Sequence, residues 1–260
     1  MGVMKIGVFD SGIGGVTVLN ELKKRFPGEH YRYFGDTANV PYGTKSETQI
    51  RSLVTSASER ILQKGIDALV IACNTASSIA YKEFKNTLDP IPLIDVVEAG
   101  VASVLHNVEG HSDQPVVILG TRATIKSGIY GRLLKERNPN LSIHEQECAL
   151  LVPMIEEGWT DHPILRSTIL EYVSPYLKLK PGVALLACTH YPWIKTQFEQ
   201  LMPGWKILDS ANAVADILEE KLHKDLHSSK MTFETEWNFS DVEGVSSKLL
   251  PKDLHVLQPF

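Results

Sequence analysis

Short apolar runs alternate with stretches of helical spacing along most of this chain. KIGVF (5–9) reads as a strand and leads into the glycine-rich DSGIGG. VTVLNELKKRF (16–26) then sets Leu19, Leu22 and Phe26 along one side of a predicted helix. YRYF (31–34) predicts a second strand, and GDTANVPYG (35–43) a long polar loop. SETQIRSLVTSASERILQKG (46–65) has the pattern of a helix that Ser46 caps and Gly65 ends. ALVIA (68–72) is apolar without interruption, as expected of a strand covered on both faces. The order strand, helix, strand, helix, strand predicts a parallel sheet with helices packed on both sides.

The pattern starts again near residue 115. VVILGTRAT (116–124) reads as a strand followed by a loop of small residues, and SGIYGRLLKER (127–137) as a helix. ALLVPMIEEGW (149–159) passes from an apolar run into a turn or helix start, and HPILRSTILEYVSPYLK (162–178) predicts a helix. VALLA (183–187) is a second buried strand, ending at Cys188. A comparable length of chain separates Asp10 from Cys73 and Thr121 from Cys188, so each half places a polar loop and then an Ala-Cys at strand ends. We read this as a weak internal repeat. The fold expected is α/β: two similar three-layer domains, with mainly parallel sheets, facing each other across a central cleft. No linker rich in Pro, Gly and Ser marks a boundary. It is expected near IDVVEAG (94–100), with ILDSANAVADILEEKL (207–222) returning to the first unit. The first domain then comprises 1–97 plus 208–260, and the second 98–207. The tail from about residue 231 shows no clear periodicity.

Composition narrows the function classes. Apolar residues make up 43% of the 260, enough for a full core without disulfide or metal staples. The net charge is −5 and no basic block interrupts the sequence, so nucleic acid and anionic membranes have no electrostatic footprint to bind. No apolar stretch approaches the ~20 residues of a membrane span. The N-terminus runs directly into a strand pattern and lacks a signal peptide. Three widely spaced cysteines are not a disulfide framework, and the expected setting is the reducing cytoplasm.

Two of those cysteines end the repeated runs, LVIACNTAS (69–77) and ALLACTHYP (184–192). In open α/β sheets, sites form outside the carboxyl ends of strands, where Asp10, Cys73, Thr121 and Cys188 are all expected. Two thiols facing one carbon from opposite sides could remove a proton on one face and return one on the other, inverting a stereocentre. A lone Cys at a strand end is more often packing than chemistry. The duplicated context argues against packing for Cys73 and Cys188, while Cys148, in HEQECALL, has no counterpart and reads as core. Other residues have bland readings too. Asp10 and Ser11 could cap the helix near residue 16, and Gly12, Gly14 and Gly15 could serve a tight turn. The loop is not a dinucleotide fingerprint, because Thr17 stands where the third Gly is required. His190 could be a hydrogen-bonded core histidine, Tyr42 surface packing, and Glu156-Glu157 an acidic helix start.

FDSGIGG (9–15), PYG (41–43), CNTAS (73–77), LGTRAT (119–124), LVPMIEEG (151–158) and CTHYP (188–192) together resemble the motif set of the cofactor-independent glutamate racemases. They occur in that family's order over roughly residues 5–215. The resemblance implies two facing α/β domains with substrate between them. It implies that Cys73 removes the α-proton of D-glutamate and Cys188 that of L-glutamate, each assisted by neighbours: Asp10 for Cys73, Glu156 with His190 for Cys188. For substrate binding it points to Asp10, Ser11, Pro41, Tyr42, Gly43, Asn74, Thr75, Thr121, Thr124, Thr189 and His190. Ser11, Tyr42 and Gly43 would offer hydroxyl and backbone donors, and the Asn and Thr groups would surround a carboxylate. It further implies a homodimer that supplies D-glutamate for peptidoglycan, with no metal and no cofactor. No Lys lies in any of the motifs, as a pyridoxal Schiff base would require, and no obvious Arg clamp stands among them.

The second cysteine motif departs from the family, with Ala187 where Gly is more usual and Trp193 where an aliphatic residue is. Trp193 is expected to alter packing beneath the cleft. The chain starts almost at FDSGIGG, without the N-terminal extension associated with precursor activation in some members, so no such activation is expected. Three alternatives remain at this stage. One is aspartate racemase. Another is a thiol-based metal or redox protein using Cys73, Cys188 and His190, though the usual CxxC spacing is absent. The third is a non-catalytic amino-acid-binding protein.

Overall fold

The computed structural model describes residues 3–108, 114–222 and 235–241, together with the backbone of 257–259. The first unit opens β1 (Lys5–Asp10), α1 (Val16–Arg25), β2 (His30–Gly35), α2 (Glu47–Gln63), β3 (Ala68–Ile71), α3 (Asn74–Leu88), β4 (Leu93–Asp95). Helix α4 (Val96–Val108) leads into β5 (Pro115–Gly120), α5 (Arg122–Lys126), α6 (Ile129–Arg137) and β6 (Ser142–Glu147). Then follow α7 (Leu151–Glu156), α8 (Pro163–Val173), β7 (Val183–Ala187), α9 (Lys195–Leu201) and β8 (Lys206–Leu208). Last come α10 (Ala211–Leu222) and the short strands β9 (Glu236–Phe239) and β10 (Leu257–Pro259).

All strand pairings among the described residues are parallel. One sheet has the order β10-β9-β2-β1-β3-β4, the other β6-β5-β7-β8. The run β2-β1-β3-β4 therefore repeats in the second sheet, and the internal repeat is one of topology. Register refines it. Phe9 lies beside Ile71 and Gly120 beside Ala187. Continuing each ladder puts Ser11 beside Cys73 and Thr121 beside Cys188. The counterpart of Thr121 is thus Ser11, one residue on from Asp10.

The central strands β3, β5 and β7 are buried along their whole length, because helices cover both faces. Side chains alternate between two cores per sheet. Val70 and Ala72 join the core shared with α1 and α10, whereas Leu69, Ile71 and Cys73 join that of α2 and α3. Leu185 and Ala187 face the α4 and α6 side, whereas Leu186 and Cys188 face that of α7, α8 and α9. Strand parity alone therefore fixes which face each cysteine takes.

Helix α2 begins where its sequence predicts. Ser46 Oγ accepts from the Gln49 amide, and the Gln49 side chain accepts from the Ser46 amide, a reciprocal capping box. Gly65, at φ +66°, takes the left-handed turn just past its end. Part of the aperiodic C-terminal tail is structured: β9 pairs with β2, with Trp237 beside Tyr33. Residues 223–234 and 242–256 lie outside the described residues. Among those described, no helix is long and apolar enough to cross a membrane.

Replacing Ser46 by Ala removes one half of the capping box. The expected cost is about 1 kcal/mol, read as a lower urea midpoint at unchanged slope.

Candidate active site

Four strand ends converge on one cleft between the two sheets. Ser11, Pro41, Tyr42, Gly43, Cys73, Asn74 and Thr75 line it from the first unit, and Thr121, Glu156, Cys188, Thr189 and His190 from the second. Asp10 and Thr124 stand behind this lining, both buried. All the residues singled out in the sequence are thus brought together.

Cys73 is the N-cap of α3, where its Sγ accepts from the Ala76 amide at 3.4 Å and donates to Ser11 Oγ at 3.3 Å. A helix start and these contacts favour a thiolate. Burial opposes them and wins, reinforced by the Asp10 carboxylate, and the thiol is pushed up to about 11. Cys188 is raised as well, chiefly by burial. The His190 amide works against this shift, while charges on Cys73, Asp10 and Glu156 add to it. The two thiols are near enough that charge on one disfavours charge on the other.

Each thiol has an ionisable neighbour. His190 Nδ1 lies 4.0 Å from Cys188 Sγ, and its Nε2 lies 3.0 Å from Glu156 Oε1, giving a chain from thiol to carboxylate. Asp10 ends β1 with its carboxyl raised by burial; His190 and the amides of Gly12 and Gly15 pull the other way. Its Oδ2 accepts from the Gly12 amide at 3.0 Å, and its Oδ1 accepts from Thr189 Oγ1 at 3.2 Å. The N-cap of α1 is Gly15, with no side-chain cap, so neither Asp10 nor Ser11 serves as that residue.

The two units meet without slack here. Thr17 Oγ1 lies 3.0 Å from the Thr189 carbonyl. A Cβ on Gly14 would come within 2.3 Å of Thr189 Oγ1 and 2.5 Å of His190 Nδ1, so only glycine fits. Across the cleft, the hydroxyls of Thr75, Thr121 and Thr124 bond one another at 2.9–3.3 Å.

Several findings differ from the sequence reading. Tyr42 does not offer its hydroxyl to the cleft: it donates to Asp36 Oδ2 at 2.6 Å. Asp36 is a buried hub that also receives Asn39 and Ser240, and nothing in the motif set marked it. Arg122, inside the LGTRAT motif, lines the cleft and pairs with Glu147 at 3.3 Å, so the cleft does have an arginine. Cys148 is fully buried in the apolar core and also borders the cleft. Trp193 packs edge-on against His190, with ring centroids 5.5 Å apart at 85°, and touches a core of each unit. Among the described residues, no group of His, Cys, Asp and Glu is arranged to hold a metal ion.

The sequence profile of the Asp/Glu/Hydantoin racemase family matches residues 6–218. The chain belongs to this family. A glutamate racemase of Syntrophus aciditrophicus (strain SB) is 42% identical over 218 residues, 84% of this chain and 79% of its own. One from Sulfurihydrogenibium sp. (strain YO3AOP1) is 43% identical over 217 residues, 83% of this chain and 82% of its own. The crystal structure of Francisella tularensis glutamate racemase in complex with D-glutamate superposes with a TM-score of 0.88 at 32% identity, covering 99% of this chain and 97% of that one. This racemase is accordingly an isomerase built on two parallel-sheet α/β units.

Burial sets the resting state of its thiols. With Cys73 at about 11 and Cys188 raised too, both are protonated at neutral pH. Alkylation of the ligand-free racemase by iodoacetamide is expected to be slow at pH 8 and to accelerate as pH approaches 11. Peptide mapping of the labelled cysteines checks this, and fast labelling of Cys73 at neutral pH would contradict the assignment.

Proposed function

We propose that this racemase interconverts L- and D-glutamate by two-base proton transfer at Cα. The observation that carries the reading is the placement of Cys73 and Cys188 at equivalent strand ends of a duplicated topology, on opposite sides of one cleft. The units divide the chain as 1–97 with 208–260 and 98–207.

In the D→L direction, Cys73 gives its proton to Asp10 and takes the α-proton of D-glutamate. The Cys188 thiol delivers a proton to the opposite face and is restored through His190 and Glu156. The reverse direction exchanges the roles. The hydroxyls of Thr75, Thr121 and Thr124 now bonded to one another turn to a substrate carboxylate, where neutral donors stabilise charge moving out of Cα. The reaction as proposed draws on the two thiols, and no step in it uses a Schiff base. Both glutamate racemase relatives and the D-glutamate complex of the Francisella enzyme support glutamate as substrate. A cytoplasmic homodimer feeding peptidoglycan synthesis completes the proposal.

The test separates the two faces. Replacing either Cys73 or Cys188 by Ser should nearly abolish racemisation, since each turnover needs a base on one side and an acid on the other. Elimination from a β-chlorinated glutamate needs only one α-proton removed. Cys73→Ser should still process the L-configured analogue, and Cys188→Ser the D-configured one, while Cys148→Ser leaves both reactions near wild type. Two single mutants with full racemase activity would end the two-thiol reading, and faster turnover of aspartate than of glutamate would end the choice of substrate.

Glu156 serves only the Cys188 side. Glu156→Gln is therefore expected to slow L→D conversion more than a change at Asp10 does, by circular dichroism progress curves in both directions.

A further inference from the structure

Asn74 opens α3 directly after Cys73 and borders the cleft, although it is only 4% exposed. Its Oδ1 is already taken. It lies 2.5 Å from the Oη of Tyr130, a buried side chain of α6 in the second unit.

The separation identifies the atoms. O–H···O bonds span about 2.5–3.0 Å, whereas N–H···O bonds begin near about 2.7 Å. At 2.5 Å the contact is a hydroxyl on the amide oxygen, not the amide nitrogen on a hydroxyl. Of the other groups near Tyr130 Oη, the Val96 carbonyl is 3.5 Å away and too far to compete for the single hydroxyl hydrogen, and the Ser210 hydroxyl acts on the phenol as a donor, which leaves that hydrogen to Asn74. Burial and the neighbouring Asp95 hold the phenol above its ordinary pKa, so it stays protonated and a donor. With Oδ1 turned to Tyr130, Nδ2 is the end left for the cleft, beside Cys73.

We propose that Tyr130 is a positioning residue of the racemase: by donating to Asn74 Oδ1 from the opposite unit, it sets the Asn74 amide with Nδ2 toward the cleft, to receive a substrate carboxylate. The inference deepens the glutamate reading and rests on it. An amide free to flip would present its oxygen to an anionic substrate half the time, and would repel the group it is meant to hold. Because Asn74 and Tyr130 belong to different units, the donor is in place only when the units are packed together. Binding then meets a preset group instead of ordering one.

A double-mutant cycle tests this, with kcat/KM for D- and L-glutamate measured on the full chain. Tyr130→Phe keeps the ring and is expected to lower kcat/KM about tenfold in both directions. Asn74→Ala should lower it at least as much. Adding Tyr130→Phe to Asn74→Ala should change it by less than about twofold, because the hydroxyl acts only through the amide. Asn74→Asp gives a second reading. Tyr130 can still donate to one carboxylate oxygen, so the fold is kept, but the cleft end becomes an anion. A loss of more than about a hundredfold is expected. Additive losses in the cycle would overturn the proposal, and so would near-wild-type activity of Asn74→Asp. If Tyr130→Phe does not give a native far-ultraviolet spectrum, the Asn74→Asp result decides alone. Wild-type protein that leaves glutamate unchanged would instead overturn the glutamate reading, and this inference with it.

Discussion

The hydrogen bond from Thr189 to Asp10 crosses from one unit to the other, and both halves of the site depend on it. Asp10 is a fully buried carboxyl, and a buried carboxylate without partners is strongly disfavoured. Its partners come from two sources: the amides of Gly12 and Gly15 in its own loop, and Thr189 and His190 from the second unit. The first set exists in the first unit alone. The second exists only when the loops after β1 and β7 are pressed together, an approach so close that Gly14 has no room for a side chain. The same contact fixes the residue that follows Cys188, and through it the distance from thiol to histidine. The groups that flank the two thiols are therefore one structure, not two sites placed near each other.

The thiols show which physical effect dominates. A cysteine at a helix N-terminus is usually more acidic than normal, and Cys73 has that position. It also sits at the end of a strand buried on both faces, beside a carboxyl group. Burial outweighs the helix start, and the resting cleft holds neutral thiols. Ionisable groups, Asp10 on one side and the hydrogen-bonded His190–Glu156 pair on the other, stand beside them. The thiols thus add no charge of their own to the resting cleft.

Much of this was legible in the sequence. Uninterrupted apolar runs identified β3 and β7, because a strand covered on both faces has no polar side to show. The capping signal at Ser46 and the stop at Gly65 located α2. The duplicated Ala-Cys phrase exposed the repeat and both thiols. What escaped had a different character. The β9 strand is four residues long, too short to show a period, and forms because β2 offers an unpaired edge. Asp36 carries no local signature; its importance arises from Tyr42, Asn39 and Ser240, brought to it by folding. Arg122 was in plain view within LGTRAT, but its nearness to the cleft depends on where α5 starts. Tyr42 was expected to use its hydroxyl on a ligand, and only the three-dimensional structure reveals that Asp36 has claimed it. Sequence patterns report elements and repeated phrases well. They report poorly on partners that are distant in the chain.

The pairing of β9 with β2 has a consequence for how the chain is made. Residues 32–35 lie near its beginning and residues 236–239 near its end, yet they are neighbours in one sheet. The four strands of the second sheet, in contrast, come from a single stretch between Pro115 and Leu208. As the chain leaves the ribosome, that second sheet can assemble while translation continues. The β2 edge of the first sheet stays open until residue 239 has emerged, and that sheet is complete only once β10 has followed. An open parallel edge is a surface on which other chains can pair, so the interval before β9 arrives is when this protein is most exposed to misassembly.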